Sequence, residues 1–196
     1  MEIARAAAGL FMKQGLRATR AEDIAQAAGI APRTFYRYFA TKEEAVAPLY
    51  AAGADRWSEA VRTAPPDLPV PQALEHAARQ TLTPAAAISA ASWEWVRTLV
   101  RLADSSPALR KVWAEVCHGA ETSLAQALAA RAHDNVAEPA VPLRFAAAVA
   151  AASVRVAVET WAAGDAPAQG PEGPAALALH NLSTLRNFPW EDITAH

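Results

Sequence analysis

Cysteine is nearly absent from this chain, with Cys117 the single one. One thiol excludes an intramolecular disulfide and any multi-cysteine zinc site, which fits a reducing compartment, so a cytoplasmic location is expected. Cys117 itself reads as core. Long apolar runs are missing too. The longest weakly polar stretch, Phe145 to Val154, is mostly alanine and soon meets Arg155 and Glu159, too short and too polar to span a membrane. No basic segment followed by an apolar one opens the chain, so no secretory signal is expected. β-Branched residues are sparse and rarely alternate with polar ones, which leaves little to build strands from. A glycine-rich phosphate loop, His-Glu-x-x-His, Gly-x-Ser-x-Gly and a paired-carboxylate helix motif are all missing. No catalytic residue, metal or cofactor is therefore expected. His118 and Glu121 have a spacing that suits metal or base chemistry, but without a further ligand or nucleophile they read as surface.

What the chain does have is apolar mass and alanine. Of its 196 residues 53% are hydrophobic and 19% charged, enough for a real core and unlike a disordered chain. Heavy alanine use favours helix. The net charge of −2 looks unpromising for a nucleic-acid binder until the chain is divided. Residues 1–44 carry seven Lys/Arg against five Asp/Glu, and residues 45–196 carry eleven against fifteen. The asymmetry is mild, but its sign is that of a basic head on an acidic body.

Apolar periodicity and stop signals predict a series of helices and no strand. Ile3, Ala7, Leu10 and Phe11 form a first stripe, which Gly15 ends. Thr19, with Glu22 three residues on, has the spacing of a capping box for a second helix that stops at Gly29. A third runs from Pro32 to Phe39, and Thr41-Lys42-Glu43-Glu44 repeats the cap signal for a long fourth. The four prolines between Ala64 and Pro71 exclude helix there. A short helix to Leu82 follows, then helices over 86–104, from Ser106-Pro107, from Pro139/Pro142 to Ala163, and over 174–187.

Residues 19–39 carry the specific signal. A helix-turn-helix needs a short helix, a tight turn, and a second helix whose apolar residues lock inward while its polar ones face the major groove. Ile24, Ala25 and Ala28 supply the inner face of the first, Gly29-Ile30 the turn, and Phe35 and Phe39 the inner face of the second. Arg33, Thr34, Tyr36, Arg37 and Tyr38 then occupy the opposite side. Arginine suits guanine or phosphate, threonine a base edge or thymine methyl, and tyrosine hydroxyls phosphate oxygens. Lys42 sits where its ammonium and nearby backbone amides could grip one more phosphate. The competing reading is an amphipathic core helix with a polar outer face.

The stretch from Gly15 to Ile30, followed by Thr34-Phe35-Tyr36-Arg37-Tyr38-Phe39-Ala40-Thr41-Lys42-Glu43, resembles the N-terminal domain of the TetR family of transcriptional repressors over about the first 50 residues. The resemblance implies that Thr34, Tyr36, Tyr38 and Lys42 contact DNA and that Thr19 or Arg20 meets a phosphate. Ala31 stands where the family usually has a capping serine or threonine, and Arg20 replaces a common second threonine. The first helix begins at residue 1, so the basic arm of many relatives is missing or was trimmed. The implied architecture is all-α. Residues 1–45 form the helix-turn-helix DNA-binding domain, and residues 46–196 form a helical domain that binds a ligand and dimerises through the last two helices. The implied partners are a palindromic duplex operator, a second copy of the chain and a small apolar effector, with no membrane.

The body supports part of this. The helix over 140–163 has only Arg144, Arg155 and Glu159 as charges, more apolar surface than one internal face needs. Residues 97–132, including Ser106-Pro107-Ala108-Leu109-Arg110, more loosely resemble mycofactocin-type regulators, which sense fatty acyl-CoA. Trp57, Trp93, Trp95, Trp113 and Trp161 suit either the wall of an apolar ligand pocket or an ordinary core. Arg97 and Arg101 could meet a ligand phosphate or carboxylate, but with Glu94 and Asp104 they share one stripe and read rather as a solvated, ion-paired face. Arg155 with Glu159 is a buried polar candidate, for ligand or for the dimer interface. A helical lipid carrier or adaptor shares this body but leaves the exposed arginines and tyrosines of residues 33–38 unexplained.

Overall fold

The computed structural model describes residues 1–84, 90–132 and 139–187, and every regular element within them is helical. Helix α1 covers Glu2–Gln14, α2 Ala21–Ala27 and α3 Pro32–Tyr38. A 3₁₀ turn at Glu44–Val46 leads into α4, Ala47–Thr63. The rest of the body is α5 (Val70–Leu82), α6 (Ala90–Asp104), α7 (Pro107–Arg131), α8 (Val141–Ala163) and α9 (Pro174–Ser183). A last 3₁₀ turn, Thr184–Asn187, completes the helix expected over 174–187. Residues 86–89 of the expected 86–104 helix lie outside the described residues.

Local chemistry accounts for most of the ends. Gly15 adopts φ +85°, and its N–H donates to Phe11 O at 3.0 Å, which stops α1. Gly29 adopts φ +67°, with Gly29 N–H on Gln26 O (3.1 Å) and Ile30 N–H on Ala25 O (2.9 Å). This pair of bonds is a Schellman closure, and it turns the chain sharply between α2 and α3. Ser106 Oγ accepts from Leu109 N–H at 3.1 Å, and Pro107 occupies the first turn of α7, as expected from the sequence.

Two caps differ from expectation. Arg20, not Thr19, is the N-cap of α2, and its N–H donates to the Asp23 carboxylate at 2.8 Å rather than to Glu22. Thr19 is fully buried, its hydroxyl donating to Gly15 O at 2.9 Å and accepting from Gln14 Nε2 at 3.3 Å. The register is shifted by one residue because this hydroxyl serves the α1–α2 connector. Around Thr41, Glu44 N–H donates to Thr41 Oγ1 (3.3 Å) and Ala40 N–H to Glu44 Oε2 (2.9 Å). That reciprocal pair closes the 3₁₀ turn, and α4 begins only at Ala47, with Pro48 in its first turn.

Among the described residues three buried clusters form the core. One gathers Phe11, Ile24, Phe35, Val46 and Tyr50 with Leu99, Ala103, Leu109 and Val112, so the core beneath α1–α3 continues into α4, α6 and α7. The second, with Trp57, Val61, Leu74, Leu124, Leu128, Leu143 and Leu182, joins α4, α5, α7, α8 and α9. The third is small: Trp93, Val100, Trp161 and Ala162 between α6 and α8.

Arg97 and Arg101 correct the sequence reading of a solvated stripe. Arg97 is 4% exposed, with its Cζ 4.3 Å from the centre of the Trp161 ring. Its guanidinium donates to Trp161 O at 3.3 Å and also to Gly164 O and Ala166 O. Arg101 Nε donates to Ala162 O at 2.5 Å and Nη2 to Gly164 O at 2.7 Å, with Asp165 at 3.0 Å. The last carbonyls of a helix lack intrahelical donors, and α8 has no basic residue in its own last turn. Two arginines from α6 take that place. Arg131 does the same for the proline-rich α4–α5 connector, donating to Ala64 O, Pro65 O and Leu68 O at 2.8–2.9 Å and to Val61 O at 3.3 Å.

Helix α8 is 23 residues long, and by length and composition it is apolar enough to cross a bilayer. Counting only Phe145 to Val154 understated it. Its inner face, including Leu143, Ala147, Ala150 and Val154, packs in the second cluster against α7 and α9. Its outer face carries Val141, Phe145 and Val156 at 73%, 58% and 44% exposure.

Candidate nucleic-acid interface and its helical body

The α3 helix is anchored through one residue. Phe35 is fully buried, its ring tilted against that of Phe39 at 5.5 Å and edge-on to Tyr36 at 5.5 Å. Burying a phenylalanine is worth about 2–3 kcal/mol, enough to hold so short a helix against α2. The pinning turns the other positions outward. Tyr36 and Tyr38 are 52% and 61% exposed, Arg33 and Arg37 are exposed, and Thr34 is half-buried at the edge. The residues flagged on this helix thus form one surface.

Neighbours order that surface. Tyr36 OH donates to Glu22 Oε1 at 3.3 Å, and Arg20 Nε lies 3.6 Å from Glu22 Oε2. Arg37 Nη2 donates to Tyr38 OH at 3.2 Å while its Cζ lies 5.0 Å from the ring centre. Glu22 was missed as a member of this surface because at sequence level it fitted a helix cap. Its distance to Tyr36 is set by the turn, not by spacing along the chain. Lys42 is the other surprise: its Nζ donates to Leu16 O and Thr19 O, both at 2.7 Å. The ammonium clamps the α1–α2 connector beside α3, and Thr19, wholly inside, presents only its carbonyl to it.

A short helix fixed by an aromatic anchor, met by a glycine turn and presenting arginine and tyrosine outward, is the geometry of a helix-turn-helix reading head. Residues 3–47 match the model of bacterial regulatory proteins of the tetR family, and residues 68–172 match the MftR C-terminal domain. The chain belongs to the tetR family. This TetR-family protein is a DNA-binding transcription regulator, not an enzyme. It is 30% identical over 165 residues to the HTH-type transcriptional regulator TcmR of Streptomyces glaucescens, covering 82% of this chain and 71% of that one. Over 48 residues, 24% of each chain, it is 48% identical to the HTH-type transcriptional repressor KstR2 of Mycobacterium tuberculosis. In fold it is similar to Thermus thermophilus FadR, solved in complex with lauroyl-CoA (TM-score 0.57, 22% identity, 94% and 91% of the two chains). It is also similar to the fatty acid degradation regulator FadR of Bacillus halodurans (TM-score 0.57, 21% identity, 96% and 94%).

The residues flagged in the body of this TetR-family regulator do not form one group. Trp93 and Trp161 meet edge to face at 5.7 Å, and Trp161 Nε1 donates to Ala166 O at 3.1 Å. Trp113 Nε1 donates to Glu159 Oε1 at 2.7 Å, and Arg155 Nη1 binds the same carboxylate at 3.0 and 3.2 Å. The Trp113 ring lies 5.0 Å from that of Tyr50, whose phenol is held above its ordinary pKa by burial and, second, by the charge of Asp104. Trp57 belongs to the second cluster and Trp95 packs against the first. A shallow depression of about 40 Å³ lies between α6, α7 and α8, where Val100, Ala103, Trp113 and Glu159 meet. It has room for only about three waters. Among the described residues no cluster suited to a metal ion is found. Five buried side-chain atoms have no hydrogen-bond partner among the described residues: Tyr50 OH, Trp57 Nε1, Ser58 Oγ, Trp93 Nε1 and Arg97 Nε, the last lying 3.4 Å from Glu94 Oε1.

Proposed function

We propose that this regulator is a ligand-responsive repressor that acts in the cytoplasm and grips a near-palindromic operator as a homodimer. Residues 1–45 serve as the reading head and 46–196 as the effector and dimer body. The observation that carries the proposal is the outward set on α3, with Arg33, Tyr36, Arg37 and Tyr38 exposed over the buried Phe35. In it Arg33, Thr34, Tyr36, Arg37 and Tyr38 touch bases or phosphates, and Arg20 meets a phosphate at the start of α2. Thr19 and Lys42 hold the connector in position rather than reaching DNA with their side chains, since one is buried and the other bonds two carbonyls. Two copies joined through α8 and α9 would set the α3 helices about 34 Å apart, one turn of duplex. The exposed stripe Val141, Phe145 and Val156 on α8 supports that interface. An apolar effector, an acyl chain being one candidate in view of the MftR-type and FadR likenesses, would favour a dimer with another spacing and lower operator affinity.

The test begins with an operator selected from random duplexes and followed by fluorescence anisotropy. Tyr36→Ala and Arg37→Ala are expected to weaken binding at least about tenfold each, with the oligomeric state unchanged. Full affinity in both would refute this assignment of contacts, and no affinity for any duplex would favour a carrier.

A further inference from the structure

Tyr36 and Tyr38 both stand exposed on α3, yet their neighbours set the two hydroxyls to opposite hydrogen-bonding roles. A phenol has one proton to donate and lone pairs with which to accept. Tyr36 OH donates its proton to Glu22 Oε1 at 3.3 Å. Its ring packs edge-on against the buried Phe35 at 5.5 Å, which limits where the hydroxyl can go. Tyr38 OH instead accepts from Arg37 Nη2 at 3.2 Å. A guanidinium has no acceptor to offer in return, so the Tyr38 proton stays free. Tyr36 thus presents lone pairs to whatever meets α3, and Tyr38 a proton.

Glu22 is the source of the difference. It sits in the first turn of α2 with its side chain 47% exposed, and its second oxygen lies 3.6 Å from Arg20 Nε. The acids nearby in the head are used differently: Asp23 and Glu44 turn their carboxylates to the backbone N–H groups of Arg20 and Ala40. Glu22 alone of these three reaches a side chain of α3. An exposed carboxylate works against phosphate on a surface that otherwise presents Arg20, Arg33 and Arg37. Phosphate oxygens only accept, so they suit the arginines and Tyr38 but not a Tyr36 whose proton is taken. In the major groove the donors are the amino groups, cytosine N4 and adenine N6, while guanine N7 and O6, adenine N7 and thymine O4 accept. The lone pairs of a phenol backed by a carboxylate match those amino groups.

We infer that Glu22 is a specificity-determining residue of the reading head: by accepting the Tyr36 hydroxyl proton it leaves that oxygen as the acceptor for one base amino group, cytosine N4 or adenine N6. Its charge at the same time weakens non-specific contact with phosphate. The inference rests on the reading of α3 as the element that meets the duplex.

The test compares the wild-type full chain with Glu22→Ala and Tyr36→Phe on the duplex that the wild type selects from random sequences. Each adenine of a half-site is replaced in turn by purine and each cytosine by 2-pyrimidinone, which deletes the amino group. At one position the deletion is expected to weaken the wild type at least about threefold more than it weakens either variant. Comparing proteins on the same pair of duplexes cancels the base pairing lost with the amino group, and the analogue that responds tells adenine from cytosine. On random-sequence duplex Glu22→Ala should bind about two- to fivefold more tightly than the wild type. Both side chains are about half exposed, so the helicity of the variants should hold by circular dichroism; should Glu22→Ala fail to fold, Tyr36→Phe carries the comparison. Amino deletions that act on the wild type and the variants alike overturn the inference. So does a loss in Tyr36→Phe that is equal on every duplex, the mark of a phosphate contact, or non-specific binding by Glu22→Ala no tighter than the wild type's. These failures leave the reading head in place as long as Arg37→Ala loses operator affinity. Selection of no duplex, or full affinity in Arg37→Ala as well, overturns the reading head with the inference.

Discussion

Replacing Arg97 by methionine keeps most of the side chain's volume and removes its charge and its fork of donors. The wild-type guanidinium is buried under Trp161 and serves three carbonyls at the end of α8. A hydrogen bond to a charged group contributes about 1.5–3 kcal/mol, and a desolvated cation–π contact up to about 2 kcal/mol. Methionine regains the cost of desolvating the guanidinium but leaves those carbonyls to find water beside a buried tryptophan. The net loss is about 3–5 kcal/mol, the range for breaking a buried charged network. For a chain of this length each kcal/mol moves the melting temperature by about 2–4 °C, so a fall of about 10 °C is expected by circular dichroism. Trp161 emission should shift to the red, and Arg97→Lys should fall between the two. A solvated, ion-paired Arg97 would instead cost under about 1 kcal/mol. A melting temperature within about 2 °C of wild type would refute the assignment of Arg97 as the cap of α8.

Other expectations follow from single features. Gly29→Ala places a side chain at φ +67° in the turn before α3; it should cost about 1–2 kcal/mol and weaken operator binding, read by denaturant melts and anisotropy. Phe145→Glu puts a charge on the exposed α8 stripe and should shift the protein to monomer in sedimentation velocity, with weaker operator binding but intact helicity. Burial pushes the Cys117 thiol from 9.0 up to about 11; Arg155 opposes this, and Glu159 and Glu121 add to it. The unfolded thiol ionises first, so this stabilisation is complete below pH 9 and disappears as pH rises through about 11. Cys117→Ser should flatten that alkaline loss in pH-dependent melts, and iodoacetamide at pH 8 should label native Cys117 far more slowly than unfolded Cys117.

Much of the chain's course was readable because its signals are local. Gly15, Gly29 and Ser106-Pro107 each mark a helix end through a bond to a residue no more than five positions away. The outward set on α3 was readable for the same reason, since Phe35 and Phe39 fix which side faces in. What escaped depends on distant partners. Arg97 and Arg101 lie on a stripe with Glu94 and Asp104 that looks like any charged helix face, yet their acceptors are more than sixty residues away. A clue was present: α8 ends without a cation of its own. Lys42 was assigned outward because nothing local marks Leu16 and Thr19 as its acceptors. The tryptophans were flagged as a set by type, whereas packing divides them among three clusters.

The first cluster ties the reading head to the body, for Phe35 and Ile24 belong to the same buried cluster as Leu99, Ala103, Leu109 and Val112. A fragment cut after residue 45 would strip Phe35's cluster of that support and of Tyr50, and should stay largely unstructured on its own. The head is therefore no pendant module on a swivel. A shift of α6 or α7 is expected to bear on the packing of α1–α3 through this shared core.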